Sequence, residues 1–247
     1  MCTASWFEKE GGFELFFNRD ERRTRLRADP PRLQSIGGAM LIAPTDGDAG
    51  GTWIAVNEHG LALALLNLWQ SDGQLPPDGF RSRGLLVRDL ASCTDGKSVH
   101  ERLAVSGDEV YRGYTLLVLE PGRAPLGLRW DETKLAKFEP RAPLVSSSVD
   151  FELAKQHRRV SYGRLESSAA NRRENYEAFH RSKEPMPGAL AVCMQREDAC
   201  TVSASHVDVT AGEVRFRYAD GSPDITPFGE ALVLGRTGPL SPANTSL

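Results

Sequence analysis

Residues 1–21 read MCTASWFEKEGGFELFFNRDE, and the fold turns on how they are read. Two aromatic-rich segments, Thr3 to Phe7 and Phe13 to Phe17, flank Gly11-Gly12, the pattern of a β-hairpin with Glu8 to Gly12 as its loop. A hairpin returns the end of its second strand to the start of its first. Asn18, Arg19 and Asp20 are therefore expected beside Cys2, which follows the initiator methionine directly.

That placement carries a chemistry. A second residue this small usually allows Met1 to be removed during synthesis, leaving Cys2 with a thiol and a free α-amino group. The thiol titrates near ~8.5 and the amine near ~7.7–8.0, so the nucleophile's own residue holds a base able to take its proton. The plain competing reading is a small apolar residue that starts a strand. Arg19 would favour the thiolate, and Asp20 would accept a hydrogen bond from the amine. Neighbours in a strand point to opposite faces, which works against both reaching one site.

The chain has 247 residues, 40% apolar and 26% charged, with a net charge of -3. One domain spanning residues 1–247 is expected. No basic stripe suggests nucleic acid, and apolar runs such as Leu61 to Leu66 are too short to span a bilayer. Charged Glu8, Lys9 and Glu10 break any signal-peptide pattern. Cys2, Cys93, Cys193 and Cys200 lack metal-ligand spacing, so no metal site is expected, and reduced thiols and a cytoplasmic location are. Cys193 and Cys200 read as buried apolar residues, with a pairing that faces them across strands as the lesser alternative.

Further along, Arg22 to Arg32, with Pro30-Pro31, reads as a surface loop, and Asp46 to Gly51 as a turn. Thr52 to Asn57 and Leu61 to Asn67 form a second hairpin over Glu58-His59-Gly60, and Ser71 to Arg83 is a loop long enough for a lid or rim. Leu86, Leu90 and Cys93 share one helical face, and Val99 with Leu103 another. Tyr114 to Glu120 is a strand, followed by a hairpin of Leu126 to Trp130 and Lys134 to Phe138. Leu144 to Ser148 leads into helices over Asp150 to Ser167 and Arg172 to Ser182. Strands follow at Ala189 to Gln195, Thr201 to Val209, Glu213 to Tyr218 and Glu230 to Leu234. Strands, helices, then strands again imply an α+β fold with antiparallel sheets. Asn67, at the end of a strand, is a turn residue or an oxyanion donor contributing ~3–4 kcal/mol. Trp53 and Trp69 read as core or pocket lining suited to an acyl chain or a flat macrocycle. The five histidines read as structural or surface residues.

Cys2, the Arg19-Asp20 pair and the stretch from Asn57-Glu58-His59-Gly60 to Asn67 resemble the choloylglycine hydrolases and penicillin V acylases. Those are N-terminal-nucleophile (Ntn) hydrolases with an αββα sandwich. The resemblance implies Cys2 as nucleophile, Arg19 and Asp20 as its supporting pair, and Asn67 in the oxyanion hole. That family separates its arginine from its aspartate, whereas here they are adjacent. An asparagine that precedes the central helix in that family is replaced by Ser146-Ser147-Ser148. Asn18 to Glu21, Gly50-Gly51-Thr52-Trp53, Arg83-Gly84, Tyr111 to Tyr114 and Ala191-Val192-Cys193 are similar, along nearly the whole chain, to the NRDE family, which includes the transport-and-Golgi-organisation-2 proteins. That resemblance implies haem or lipid handling. Two functions are thus expected. One is a cysteine amidohydrolase that needs no cofactor and cleaves a small amide through a Cys2 thioester. The other is a non-catalytic carrier binding haem, a lipid or acyl-CoA, with Asn18, Trp53 and Trp69 as binding residues. A purely structural interaction module is a third alternative, and homo-oligomerisation is left open.

Overall fold

The computed structural model describes residues 2–69, 79–105, 111–166 and 172–237. The first hairpin is present: β1 (Cys2–Lys9) pairs antiparallel with β2 (Gly12–Arg22). Its loop shrinks to Glu10-Gly11, with Gly11 at φ +71°, because Lys9 and Gly12 still pair. Gly12 is there for a different reason. A Cβ on it would collide with the Val209 carbonyl of the neighbouring strand.

Two antiparallel sheets follow. Beyond β1 and β2, one contains β10 (Leu144–Ser146), β11 (Ala199–Val209), β12 (Glu213–Ala219) and β13 (Leu232–Gly235), in the order β10-β1-β2-β11-β12-β13. The other is formed by β3 (Asp29–Ile36), β4 (Ala39–Thr45), β5 (Ile54–Asn57), β6 (Ala62–Asn67), β7 (Tyr114–Leu119), β8 (Leu126–Trp130) and β9 (Leu135–Phe138), each beside the next. The sheets stack face to face. Cys2, Ala4 and Trp6 of β1 and Phe13, Leu15 and Phe17 of β2 meet Ala62, Ala64 and Leu66 of β6 in a shared core.

Helices close both outer faces. α1 (Arg83–Leu90) and α2 (Gly96–Val105) cover the outward Leu63 and Leu65 of β6. α3 (Phe151–Glu166) and α4 (Arg172–Arg181) cover Phe16 of β2. A strand buried on both faces needs apolar residues at every position, which explains the unbroken run Leu61 to Leu66. The architecture is the expected αββα sandwich. No described helix is long and apolar enough to cross a membrane.

Two sequence expectations are corrected. Arg22 to Arg32 is not one loop: Arg22 ends β2 and Asp29 begins β3. Pro30-Pro31 fits a strand because β3 is a sheet edge, and its pairing is irregular between Asp29 and Arg32. Ala189 to Gln195 is not a strand either. It is a turn-rich segment whose Ala191, Val192 and Cys193 are buried by tertiary packing, with Gln195 making only an isolated bridge to Cys200. Cys193 does not face Cys200. Its sulfur lies 3.2 Å from Ser222 Oγ and 3.4 Å from Asp224 Oδ1. The expected rim loop Ser71 to Arg83 lies largely outside the described residues.

The outer face of β2 carries polar side chains, each matched from the helix side. Asn18 Nδ2 donates to the carbonyls of His180 (2.8 Å) and Val192 (3.1 Å), so its Oδ1 faces His180 Nδ1 at 2.9 Å. That nitrogen must hold the ring proton. Nε2 then accepts from the Ser5 hydroxyl at 2.7 Å. Burial, helped by the Arg158 charge, depresses the His180 pKa to about 3.

Leu63→Ala is expected to lower unfolding free energy by ~2–5 kcal/mol, measured by urea titration, because Leu63 is buried between sheet and helix. An unfolded His180 takes a proton near pH ~6.5, whereas the folded one stays neutral to about 3. Its stabilisation is therefore complete above ~6.5 and is lost as pH falls toward 3. Urea midpoints at pH 7 and 5 should differ less in His180→Gln than in the wild type.

Candidate active site

Register fixes what surrounds Cys2. Its Cα stands opposite Arg19 of β2 on one side and Ser146 of β10 on the other. Residues directly opposite in antiparallel strands put their side chains on one face, so the three share the inner face of the sheet. The Ser146 hydroxyl is buried and meets no partner among the described residues. Cys2 and Arg19 line a cavity of about 330 Å³ at this end of the sandwich, together with Trp53 and Asn67.

Arg19 is committed elsewhere. It makes a short ion pair with Asp46 and stacks over the Trp53 ring, 3.9 Å from its centroid. Asp46 is doubly engaged, since Arg25 reaches both its oxygens at 2.8 and 3.0 Å. Burial works to raise the Asp46 pKa, but Arg25, the Ala49 N–H and Arg19 outweigh it and hold the carboxyl low. The turn that carries Asp46 is closed by Asp46 N to Gly51 O (2.7 Å) and Ala49 N to Asp46 Oδ1 (2.9 Å).

Asp20, one residue on, follows the pleat to the opposite face. Its Oδ1 accepts from Thr201 Oγ1 at 2.6 Å, and its Oδ2 lies 3.8 Å from Arg158 Nη2. Arg158 comes from α3 and is fully buried. It donates to Thr3 Oγ1 at 2.6 Å and to the Ala189 carbonyl at 3.1 Å. Burial pushes Asp20 up against the pull of Arg158. Arg19 and Asp20 both border the Cys2 cavity but take different partners. Burial raises the Cys2 pKa, the Asp20 carboxylate adds to that rise, and the Asp20 N–H opposes it.

The two glycine-bearing motifs meet here. Thr52 N donates to Gly84 O at 2.9 Å, and a Cβ on Gly51 would collide with the Gly84 backbone. This close approach seats the start of α1, capped by Ser82, against the turn after Asp46, and brings Arg83 to the cavity. Arg83 donates to the Gly113 carbonyl at 2.8 Å. Burial lowers its pKa to about 10, partly offset by Cys2 and Glu21.

Asn67 ends β6 at the cavity, and its side-chain amide makes no hydrogen bond among the described residues. Trp53 lines the cavity with its ring. Asn18 does not reach it, being turned to the helix side. Trp69, 46% exposed, does not line that cavity but two smaller ones, of about 220 and 80 Å³, that also include Asn67. Sequence reasoning missed Asp46, Arg83, Arg158 and Ser146. The serine run signalled only a missing asparagine, Arg83 stood in a motif and Asp46 in a turn without a role, and Arg158 gave no signal. No described group of histidine, cysteine and carboxylate side chains could hold a metal.

Asp46→Ala would leave buried Arg19 with only its longer contact to Glu21, 3.7 Å away. The expected cost is at most ~3–5 kcal/mol, read as a lower urea midpoint.

The chain superposes on penicillin V acylase from Agrobacterium tumefaciens with a TM-score of 0.50 at 12% identity, covering 96% of this chain and 100% of the other. It superposes on an arginine-to-leucine variant of conjugated bile acid hydrolase from Clostridium perfringens with a TM-score of 0.50 at 14% identity, covering 99% and 100%. At such identities the likeness is one of fold. No curated protein sequence matches the chain. The sequence profile of the family described as Transport and Golgi organisation 2 matches residues 1–196, and the chain belongs to that family.

Proposed function

We propose that the protein is a cysteine amidohydrolase of the N-terminal-nucleophile type, acting on a small acylated amine. The observation that carries this reading is the register of β1 and β2, which sets the Cys2 sulfur on the cavity side of the sheet, beside Arg19. Burial keeps the sulfur protonated, so the reaction needs a base. The α-amine of Cys2, exposed once Met1 is removed, takes the thiol proton directly or through water. The thiolate attacks the amide carbonyl. The Asn67 amide, unspent among the described residues, donates to the oxyanion. The amine leaves with a proton, and water then cleaves the thioester to release the acid. No metal or cofactor enters this sequence.

A second reading is a carrier that keeps the pocket and binds haem, a lipid or acyl-CoA without turnover. One observation favours it: the guanidinium expected to stabilise a thiolate is spent on Asp46.

An activated acyl probe should add one acyl group to Cys2 of the wild type, seen by peptide mass spectrometry, and none to that position in a folded Cys2→Ala variant. Equal mass gain in both proteins overturns the hydrolase reading. Saturable binding of haemin or acyl-CoA below roughly 10 μM, about 7 kcal/mol, without acyl transfer favours the carrier.

A further inference from the structure

Five arginines line the Cys2 cavity against three carboxylates, and the pairing among them is uneven. Asp46 takes Arg19 and Arg25, while Glu21 stands 3.5 Å from Arg25 and 3.7 Å from Arg19. Asp20, also at the cavity, lies 3.8 Å from Arg158. Arg81 pairs with Asp89 at 2.9 Å and donates to the Tyr111 hydroxyl. Two guanidinium groups remain. Arg83 has a single hydrogen bond, to a neutral backbone carbonyl. Arg112 lies over the Phe80 ring, 4.1 Å from its centroid. Neither has a carboxylate partner among the described residues.

Both guanidinium groups are donors. The complement is an oxyanion, whose planar oxygens suit the guanidinium fork.

We infer that the ligand of this cavity carries an acid group, a carboxylate or another small oxyanion, held by Arg83 and Arg112 while its reacting carbonyl lies at Cys2. The inference rests on the cavity being a ligand site, as the proposed function has it, but not on Cys2 completing hydrolysis. Within that function it makes the substrate an anionic amide, such as an N-acyl amino acid, and excludes neutral fatty amides. Arg83 and Arg112 are then specificity residues.

The test compares alkylation of Cys2 by iodoacetate and by iodoacetamide, mapped by peptide mass spectrometry, with the uncharged thiol N-acetylcysteine amide as reference. Both reagents need the same thiolate, so the ratio of their rates cancels the thiol pKa and reports only the preference for an anion. A cavity with surplus positive charge should raise the iodoacetate-to-iodoacetamide ratio by about tenfold or more over the reference. High salt should reduce it. The Arg83→Gln/Arg112→Gln double variant should bring the ratio back to the reference, Arg83→Lys should keep most of it, and Arg215→Gln, on an exposed part of β12, should change nothing. A wild-type ratio at the reference value, a ratio indifferent to the double variant, or failure of both reagents to reach Cys2 overturns the inference. Failure of acyl transfer with the charge preference intact would remove the hydrolase reading and leave this one standing.

Discussion

The pairing of Cys2 with Arg19 across the first hairpin is the constraint on which the site depends. A strand pleat has period two, so this single register decides the face of every side chain in β1 and β2. Cys2, Ala4 and Trp6 go inward to the core between the sheets, while Thr3, Ser5 and Phe7 go outward to the helices. A slip of one residue would put the sulfur under α3 and turn Arg19 away from Asp46. The Glu10-Gly11 turn and the close contact of Gly12 with β11 hold the register at the far end. At the near end, the buried Asn18–His180–Ser5 chain holds it.

Much of this was legible in the sequence wherever the signal is local. Gly11-Gly12 between aromatic runs gave the first hairpin, and Glu58-His59-Gly60 between apolar runs gave the second. The polar helices α3 and α4 followed from their length and composition. The edge strand β3 was hidden by Pro30-Pro31, which argues against strands except where a donor is not needed. Ala189 to Gln195 misled in the opposite direction: its apolar residues are buried, but by a packed turn and not by a ladder.

The site was legible to the level of the hairpin and no further. Adjacent Arg19 and Asp20 read as pointing to opposite faces, yet both border the Cys2 cavity at the strand's end, with different partners. Their true partners come from elsewhere: Asp46 from a turn that read only as a turn, and Arg158 from the middle of a helix. Long-range ion pairs leave no periodic trace. The motif glycines Gly51 and Gly84 were visible as letters, but their purpose, a backbone contact that seats α1 at the cavity, exists only in three dimensions.

The central claim is that this sulfur works as a chain-terminal nucleophile, and the intact mass of the natively expressed protein tests it most directly. The account predicts a polypeptide lighter by one methionine, with cysteine as its first residue and a free amine. A mass that retains Met1 across the whole population would contradict it.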